Sequence, residues 1–268
     1  MLNPQEGEIL CFDKPYAMTS FRVVSKVRGI LNNRLGMKNL KVGHAGTLDP
    51  LATGVLLVCT GKATKNIDTL QAGTKEYIAT LRLGATTPSF DRETDEDATY
   101  PTSHITRPLV EQVLQQFVGR IEQIPPRFSA VKVDGKRAFK LARKGEDIDL
   151  KPKVLVIDEL ELLACRLGVD LFSPHAINIK QMTPELLAAV KAEPADAAPS
   201  ITIRIVCSKG TYIRALARDI GAALGSGAYL TALKRTRIGD YHLNQCLDIE
   251  QFETWVDAQG VIKPDYNR

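Results

Sequence analysis

The densest concentration of reactive and turn-forming residues is the stretch 41–54, KVGHAGTLDPLATG. Gly43, Gly46 and Gly54, with Gly61 just beyond, frame one histidine, His44, and one carboxylate, Asp49. Glycines admit positive φ and let a backbone approach a ligand closely. A phosphate-cradling loop is excluded by spacing: the gap from Gly54 to Gly61 is too long, and Ala63 follows Lys62 where such a loop needs Ser or Thr. Asp49 precedes Pro50, which leaves two readings of its carboxylate. It is either a turn residue satisfying nearby N–H groups, or a nucleophile or base held on a loop. Local turn chemistry by itself favours the first. Arg214 lies in a helical stretch, on the side opposite the apolar Ile213, Leu216, Ala217 and Ile220, with Arg218 one turn on. That placement suits a solvated face, a phosphate clamp or a partner for a carboxylate.

The elements that must position these residues are of both kinds. Ser20 can cap a helix whose apolar face carries Val24, Val27 and Leu31. Tyr77, Ala79, Leu81 and Leu83 alternate with Glu76, Ile78, Thr80 and Arg82, which predicts a strand. Thr106 starts a helix through Leu109, Val113, Leu114 and Phe117, with Pro108 in its first turn. Strands are predicted over 154–163 and 201–208, followed by the helix that carries Arg214 and ends at Gly225-Ser226-Gly227. Strands come in groups rather than in regular alternation with helices, which points to an α+β fold with a mixed, largely antiparallel sheet flanked by helices. Residues 171–200 look inserted: they open on Ser173-Pro174, hold a capped helix start at Thr183-Pro184-Glu185, and end in an Ala/Pro-rich run.

The chain has 268 residues and 44% hydrophobic content, enough for one large domain or two small ones with a substantial core. No apolar run approaches the roughly 18 residues that span a bilayer, and the polar first eight residues do not read as a signal peptide. Five cysteines and four histidines are scattered, with no metal-ligand or redox-motif spacing. That excludes zinc ribbons and disulfide scaffolds and suggests reduced thiols in a cytosolic compartment. The net charge of +4 is modest. Its distribution is uneven, with six basic residues and one acid over 132–144, and seven basic residues and one acid over 204–237. Two such segments suit a polyanion, or simply solvate helix faces.

The stretch GHAGTLDPLATGVL resembles the catalytic motif of the TruB family of bacterial tRNA pseudouridine synthases. Four more stretches appear in that family's order: Asp13-Lys14-Pro15 with Thr19-Ser20, Lys75-Glu76-Tyr77, GRIEQIPPRFSAVK followed by Gly135-Lys136, and CSKGTYIR ending at Arg214. Together they cover residues 8–240. Two departures stand out. Ala17 occupies a position where many members carry glycine, and the 171–200 excursion is longer than usual.

The resemblance implies a pseudouridine synthase fold and isomerisation of uridine to pseudouridine at T-loop position 55 of tRNA. The N1–C1′ bond breaks, the uracil turns, and C5 joins C1′. No atoms are gained or lost, so no cofactor and no metal is expected. It further implies Asp49 as the catalytic carboxylate, Arg214 as its ion-pair partner, and Tyr77 as an aromatic surface for a flipped uracil with a hydroxyl near the reacting protons. Unaided, Tyr77 reads equally as a core tyrosine. His44 is placed against the RNA near the extruded nucleotide, in a role that needs no charge. Lys14, Lys62 and Lys65 read as phosphate contacts or solvated surface, and Leu233 as a wall residue. The expected partner is the tRNA T-arm stem-loop, bound by a cytoplasmic monomer with no membrane contact and no protein partner. The expected layout is a catalytic domain over 1–246 and a short extension over 247–268, whose Leu247, Ile249, Phe252 and Trp255 form a terminal helix packed on that domain. The competing readings are a catalytically silent RNA-binding protein on the same scaffold, a guide-directed synthase and an aspartate hydrolase.

Overall fold

The computed structural model describes residues 2–36, 39–129, 131–133, 135–146, 148–167 and 198–259. The chain divides into two compact units, Met1–Glu76 with Lys234–Arg268, and Tyr77–Leu233.

In the first unit, β1 (Ile9–Lys14) leads into α1 (Ser20–Leu35), β2 (Val42–Ala45), β3 (Thr53–Thr60) and α2 (Ile67–Ala72). Thr19, not Ser20, caps α1: its backbone is extended and its Oγ1 accepts from the Arg22 amide at 3.1 Å. Ser20 is buried and already helical, so its hydroxyl is released for a different task. Val24, Val27 and Leu31 are buried as the periodicity requires. The helix stops at Gly36, whose φ of 68° lets its amide turn back onto Asn32 O. Strand β3 is apolar without alternation because both its faces are covered. It runs antiparallel to β1, with Ile9 opposite Cys59 and Lys14 opposite Gly54, and antiparallel to β2, with His44 opposite Val58.

The second unit takes up β4 (Lys75–Leu83) from Tyr77 onward, then β5 (Ala85–Thr86), β6 (Ala98–Thr99), α3 (Arg107–Gln115), β7 (Gly119–Gln123), β8 (Lys132–Val133), β9 (Lys136–Arg137), α4 (Ala138–Ala142), β10 (Lys153–Arg166), β11 (Ser200–Cys207) and α5 (Ile213–Ala223). Neighbouring strands follow the order β4-β11-β10-β7, and the β11-β10 and β10-β7 pairs are antiparallel. Thr106 caps α3 through its Oγ1 with proline in the first turn, as its sequence predicts. Strand β4 buries Ile78 and Thr80 as well as Tyr77, Ala79, Leu81 and Leu83, so its alternating pattern does not mean one wet face. Thr80 Oγ1 meets Thr202 Oγ1 at 3.0 Å, pairing the polar groups that this burial would otherwise strand. Strands β10 and β11 pair Arg166 with Ser200. The expected excursion at 171–200 therefore joins two antiparallel neighbours, but residues 168–197, with the helix start at Thr183, lie outside the described residues.

Strand β12 (Ala228–Ile238) returns the chain to the first unit at Lys234, followed by β13 (Tyr241–His242), β14 (Leu247–Asp248) and α6 (Phe252–Gln259). Its end runs parallel to β3, with Lys234 opposite Thr53 and Arg235 opposite Gly54. Gly54, at φ 101°, has no room for a side chain there: a Cβ would lie 2.1 Å from Arg235 O. Strand β14 adds to β1 in parallel. Ile249, Phe252 and Val256 join the core built by β1, α1 and β3, and the Phe252 ring meets Phe12 edge-on at 5.0 Å. The expected terminal packing through Leu247, Ile249, Phe252 and Trp255 thus seals the first unit, with Leu247 in a strand and Ile249 in a turn rather than in the helix.

Candidate active site

Asp49 sits half-exposed on the connection between β2 and β3, and three buried polar side chains of the first unit pin that connection. The Ser20 hydroxyl clamps Leu48 from both sides, donating to Leu48 O at 3.1 Å and accepting from Leu48 N at 2.9 Å. Lys14 is fully enclosed, and its Nζ donates to Pro15 O (2.8 Å), Met18 O (2.6 Å) and Pro50 O (3.2 Å). Arg235, 1% exposed, donates from Nε to Val55 O at 2.8 Å and from a terminal nitrogen to Gly46 O at 3.0 Å. Clamps therefore grip Gly46, Leu48, Pro50 and Val55 around the carboxylate. Ala52 N closes the turn onto Asp49 O at 3.1 Å. Burying charged groups is costly, and these hydrogen bonds offset the cost while fixing the loop.

The electrostatics follow from this burial. Desolvation pushes the Lys14 ammonium down from 10.5 to about 8, opposed by the Asp49 charge and reinforced by Arg235. The lysine expected on the RNA side is thus an interior clamp whose donors are held by carbonyls. His44 is pushed below its usual range by burial and then by Arg235, which keeps it neutral at pH 7. Its Nδ1 is buried with no hydrogen-bond partner among the described residues. Lys62 is exposed on a 3₁₀ turn and pairs with Glu6 at 2.6 Å.

The second unit holds Tyr77, Arg214 and Leu233. Tyr77 is 8% exposed on β4, and Leu233 is half-buried on β12. Arg214 does not lie on a wet helix face as the periodicity of α5 suggests; it is 5% exposed, because the 87–91 segment and Phe128 cover that side. Its terminal nitrogens donate to Ser89 O at 3.1 Å and Phe128 O at 2.9 Å, and its Nε lies 3.6 Å from Asp91 Oδ2. Asp91 is itself braced by the Ser89 hydroxyl (2.6 Å) and the Glu93 amide (2.9 Å). Between them Phe90 takes a left-handed φ of 61°, and the Arg218 guanidinium stacks over its ring at 5.0 Å. This Ser89-Phe90-Asp91 support is absent from the sequence-based expectations. Its one sequence signal is an aspartate set among hydroxyls at Thr87, Ser89 and Thr94, a turn composition. Arg235 was likewise missed, because a buried arginine in a basic run reads as surface.

The two basic segments differ in exposure, although Arg143 and Lys144 also face Glu93 and Glu146 at 3.4 and 4.0 Å. Over 204–237 most of the cations are engaged: Arg214 and Arg235 are interior, Arg204 pairs with Glu159 at 2.6 Å, and Lys234 faces Asp13 at 3.7 Å. That segment is largely structural, contrary to its reading as a phosphate grip. Over 132–144, Lys136, Arg137, Lys140, Arg143 and Lys144 are all exposed, on the β8–β9 ribbon and around α4. Asp134 lies outside the described residues.

Two family models match end to end. Residues 32–213 match the N-terminal domain of the TruB family of pseudouridylate synthases, and residues 214–264 match the C-terminal domain of tRNA pseudouridylate synthase B. The tRNA pseudouridine synthase B of Phocaeicola vulgatus is 60% identical over 97% of both chains. That of Bacteroides thetaiotaomicron is 58% identical over 99% of this chain and 100% of the relative. Among solved structures, a Cbf5-Nop10-Gar1 complex gives a TM-score of 0.59 at 24% identity, covering 96% of this chain and 57% of the other. The archaeal box H/ACA Nop10-Cbf5 complex gives 0.57 at 22%, covering 94% and 54%. This chain therefore spans little more than half of those chains, and the likeness is one of fold. With both family models and whole-length relatives in agreement, the chain belongs to the TruB family of pseudouridylate synthases.

Proposed function

We propose that the chain isomerises uridine to pseudouridine at T-loop position 55 of tRNA, with Asp49 as the catalytic carboxylate. The observation that carries this reading is the triple clamp of Ser20, Lys14 and Arg235 around a half-exposed aspartate. A turn aspartate needs no such foundation, whereas a group that must meet one atom of a substrate does. Asp49 acts as nucleophile or base while the N1–C1′ bond breaks; C5 then bonds to C1′, the C5 proton leaves, and N1 gains one. Tyr77 and Arg214 complete the catalytic set, Tyr77 with a ring for the extruded uracil and Arg214 as the carboxylate's cationic partner. Neutral, half-exposed His44 suits the RNA beside the flipped nucleotide. Lys62 reaches phosphate from its exposed turn, and Leu233 lines the base-binding wall. The T arm is the recognised element, and a single cytoplasmic chain does the work.

The test uses unmodified tRNA transcript and Asp49→Asn, which keeps size and hydrogen bonding but removes the charge. Binding should persist while pseudouridine formation stops. Turnover within tenfold of wild type would remove Asp49 from the mechanism.

A further inference from the structure

Cys11 and Cys246 stand 235 positions apart in sequence, yet their sulfurs approach to 2.7 Å within the first unit. Cys11 is on β1, 7% exposed, in an apolar group with Ala45, Val55, Leu57 and Ile238. Cys246 is half-exposed, in the short link between the 3₁₀ turn Leu243–Gln245 and β14. The Cys246 thiol draws the Cys11 sulfur below its ordinary range, burial opposes this, and Arg235 adds a smaller pull downward. The same bond pushes Cys246 up, and either sulfur can be the donor in it. Cys59 lies on β3 two positions beyond Leu57, the residue opposite Cys11, but burial pushes its thiol up to about 11. Cys59 is also fully buried, out of an oxidant's reach, whereas Cys246 is half-exposed.

We propose that Cys11 and Cys246 form a reversible intrachain disulfide that fastens the segment leading into β14 and α6 onto β1. A small-molecule disulfide such as oxidised glutathione enters at the accessible partner. The Cys246 sulfur, on losing its proton, attacks one sulfur of the oxidant, forming a mixed disulfide and releasing one glutathione thiol. Cys11 thiolate then attacks the Cys246 sulfur and releases the second. Two protein thiols are oxidised, the oxidant is reduced to two thiols, and the two protons pass to them. A dithiol reverses both steps. Such a bridge closes nearly the whole chain into a loop and restricts its unfolded state. It also bears on β1, whose last residue, Lys14, holds the Asp49 loop.

The experiment treats the purified full chain with oxidised glutathione, counts thiols after denaturation, and maps disulfide-linked peptides. The count should fall from five to three, with one peptide joining Cys11 to Cys246. The melting temperature should rise by several degrees, and dithiothreitol should restore both values. Cys59→Ser should still lose two thiols, and Cys246→Ser should yield no bridged peptide. Glutathione retained on Cys246 alone, a bridge through Cys59, a bridge between chains, or an unchanged or lowered melting temperature would each overturn the proposal.

Discussion

At the scale of single residues, each unit encloses cations that are almost wholly buried. Arg214 reaches two carbonyls and the Asp91 carboxylate through the planar fork of its guanidinium. Lysine would keep the charge and lose the fork. Arg214→Lys should therefore lower turnover on tRNA by about 10²-fold or more, the scale of an ångström-sized misplacement, while tRNA affinity falls only a few-fold. An unchanged rate would reduce Arg214 to a structural pin. Lys14 gives a pH signature. Below about pH 8 its ammonium is charged in both native and unfolded chains, and the burial penalty is constant. Between about 8 and 10.5 only the unfolded chain keeps the proton. The native state then gains on the unfolded one as pH rises, by about 3 kcal/mol across the window. Urea titrations of wild type and Lys14→Met over this range should show the difference moving in favour of wild type by that amount. A flat difference would mean that Lys14 is not desolvated.

At the scale of elements, the turn between β1 and α1 holds a local strain that its sequence announces. Ala17 adopts a φ of 59°, a conformation that costs an L-residue with a Cβ roughly 1–2 kcal/mol and glycine much less. Offset by glycine's greater unfolded-state freedom, Ala17→Gly should raise stability by about 0.5–1 kcal/mol, read as a higher urea midpoint with unchanged slope. Here the departure from the family pattern was legible because φ follows from residue type. The helix at Arg107–Gln115 was legible for a similar reason, since Thr106 and Pro108 act locally. What escaped was tertiary. Ser20 looks like a cap until Thr19 takes that role and Leu48 needs a clamp. Arg214 looks solvent-facing until the 87–91 segment covers it. Arg235 carries no local signal, because its partners lie far away in sequence, and Asp91 shows only a turn composition until Arg214 meets it. The expectation that Asp49 is catalytic rests on its resemblance to a known motif; its turn chemistry argued the other way.

At the scale of the whole molecule, the β8–β9 ribbon and α4 carry a run of exposed cations close together in sequence. With most of the 204–237 segment committed to structure, phosphate contacts should come mainly from Lys136, Arg137, Lys140, Arg143 and Lys144. Removing three of these charges together should weaken tRNA binding and flatten its salt dependence, since each neutralised phosphate releases a condensed counterion. If the T arm is the element recognised, an isolated T-arm hairpin at low salt should be modified nearly as fast as full tRNA. An inert hairpin beside reactive tRNA would place essential contacts elsewhere on the tRNA.

The first unit is assembled from both ends of the described chain, and this sets an order of events at the ribosome. Asp49 is synthesised early, but Arg235, which holds the carbonyls on either side of its loop, comes only after the whole second unit has been made. At about 5–20 residues per second, the nascent N-terminal strands wait roughly 10–40 s for β12, β14 and α6. Until then β1 lacks its β14 neighbour and Phe12 lacks Phe252, so an open strand edge and an uncovered apolar face emerge together. The second unit is contiguous and needs no such wait. The nascent chain is therefore most exposed to aggregation while the loop that carries Asp49 is not yet held by Arg235.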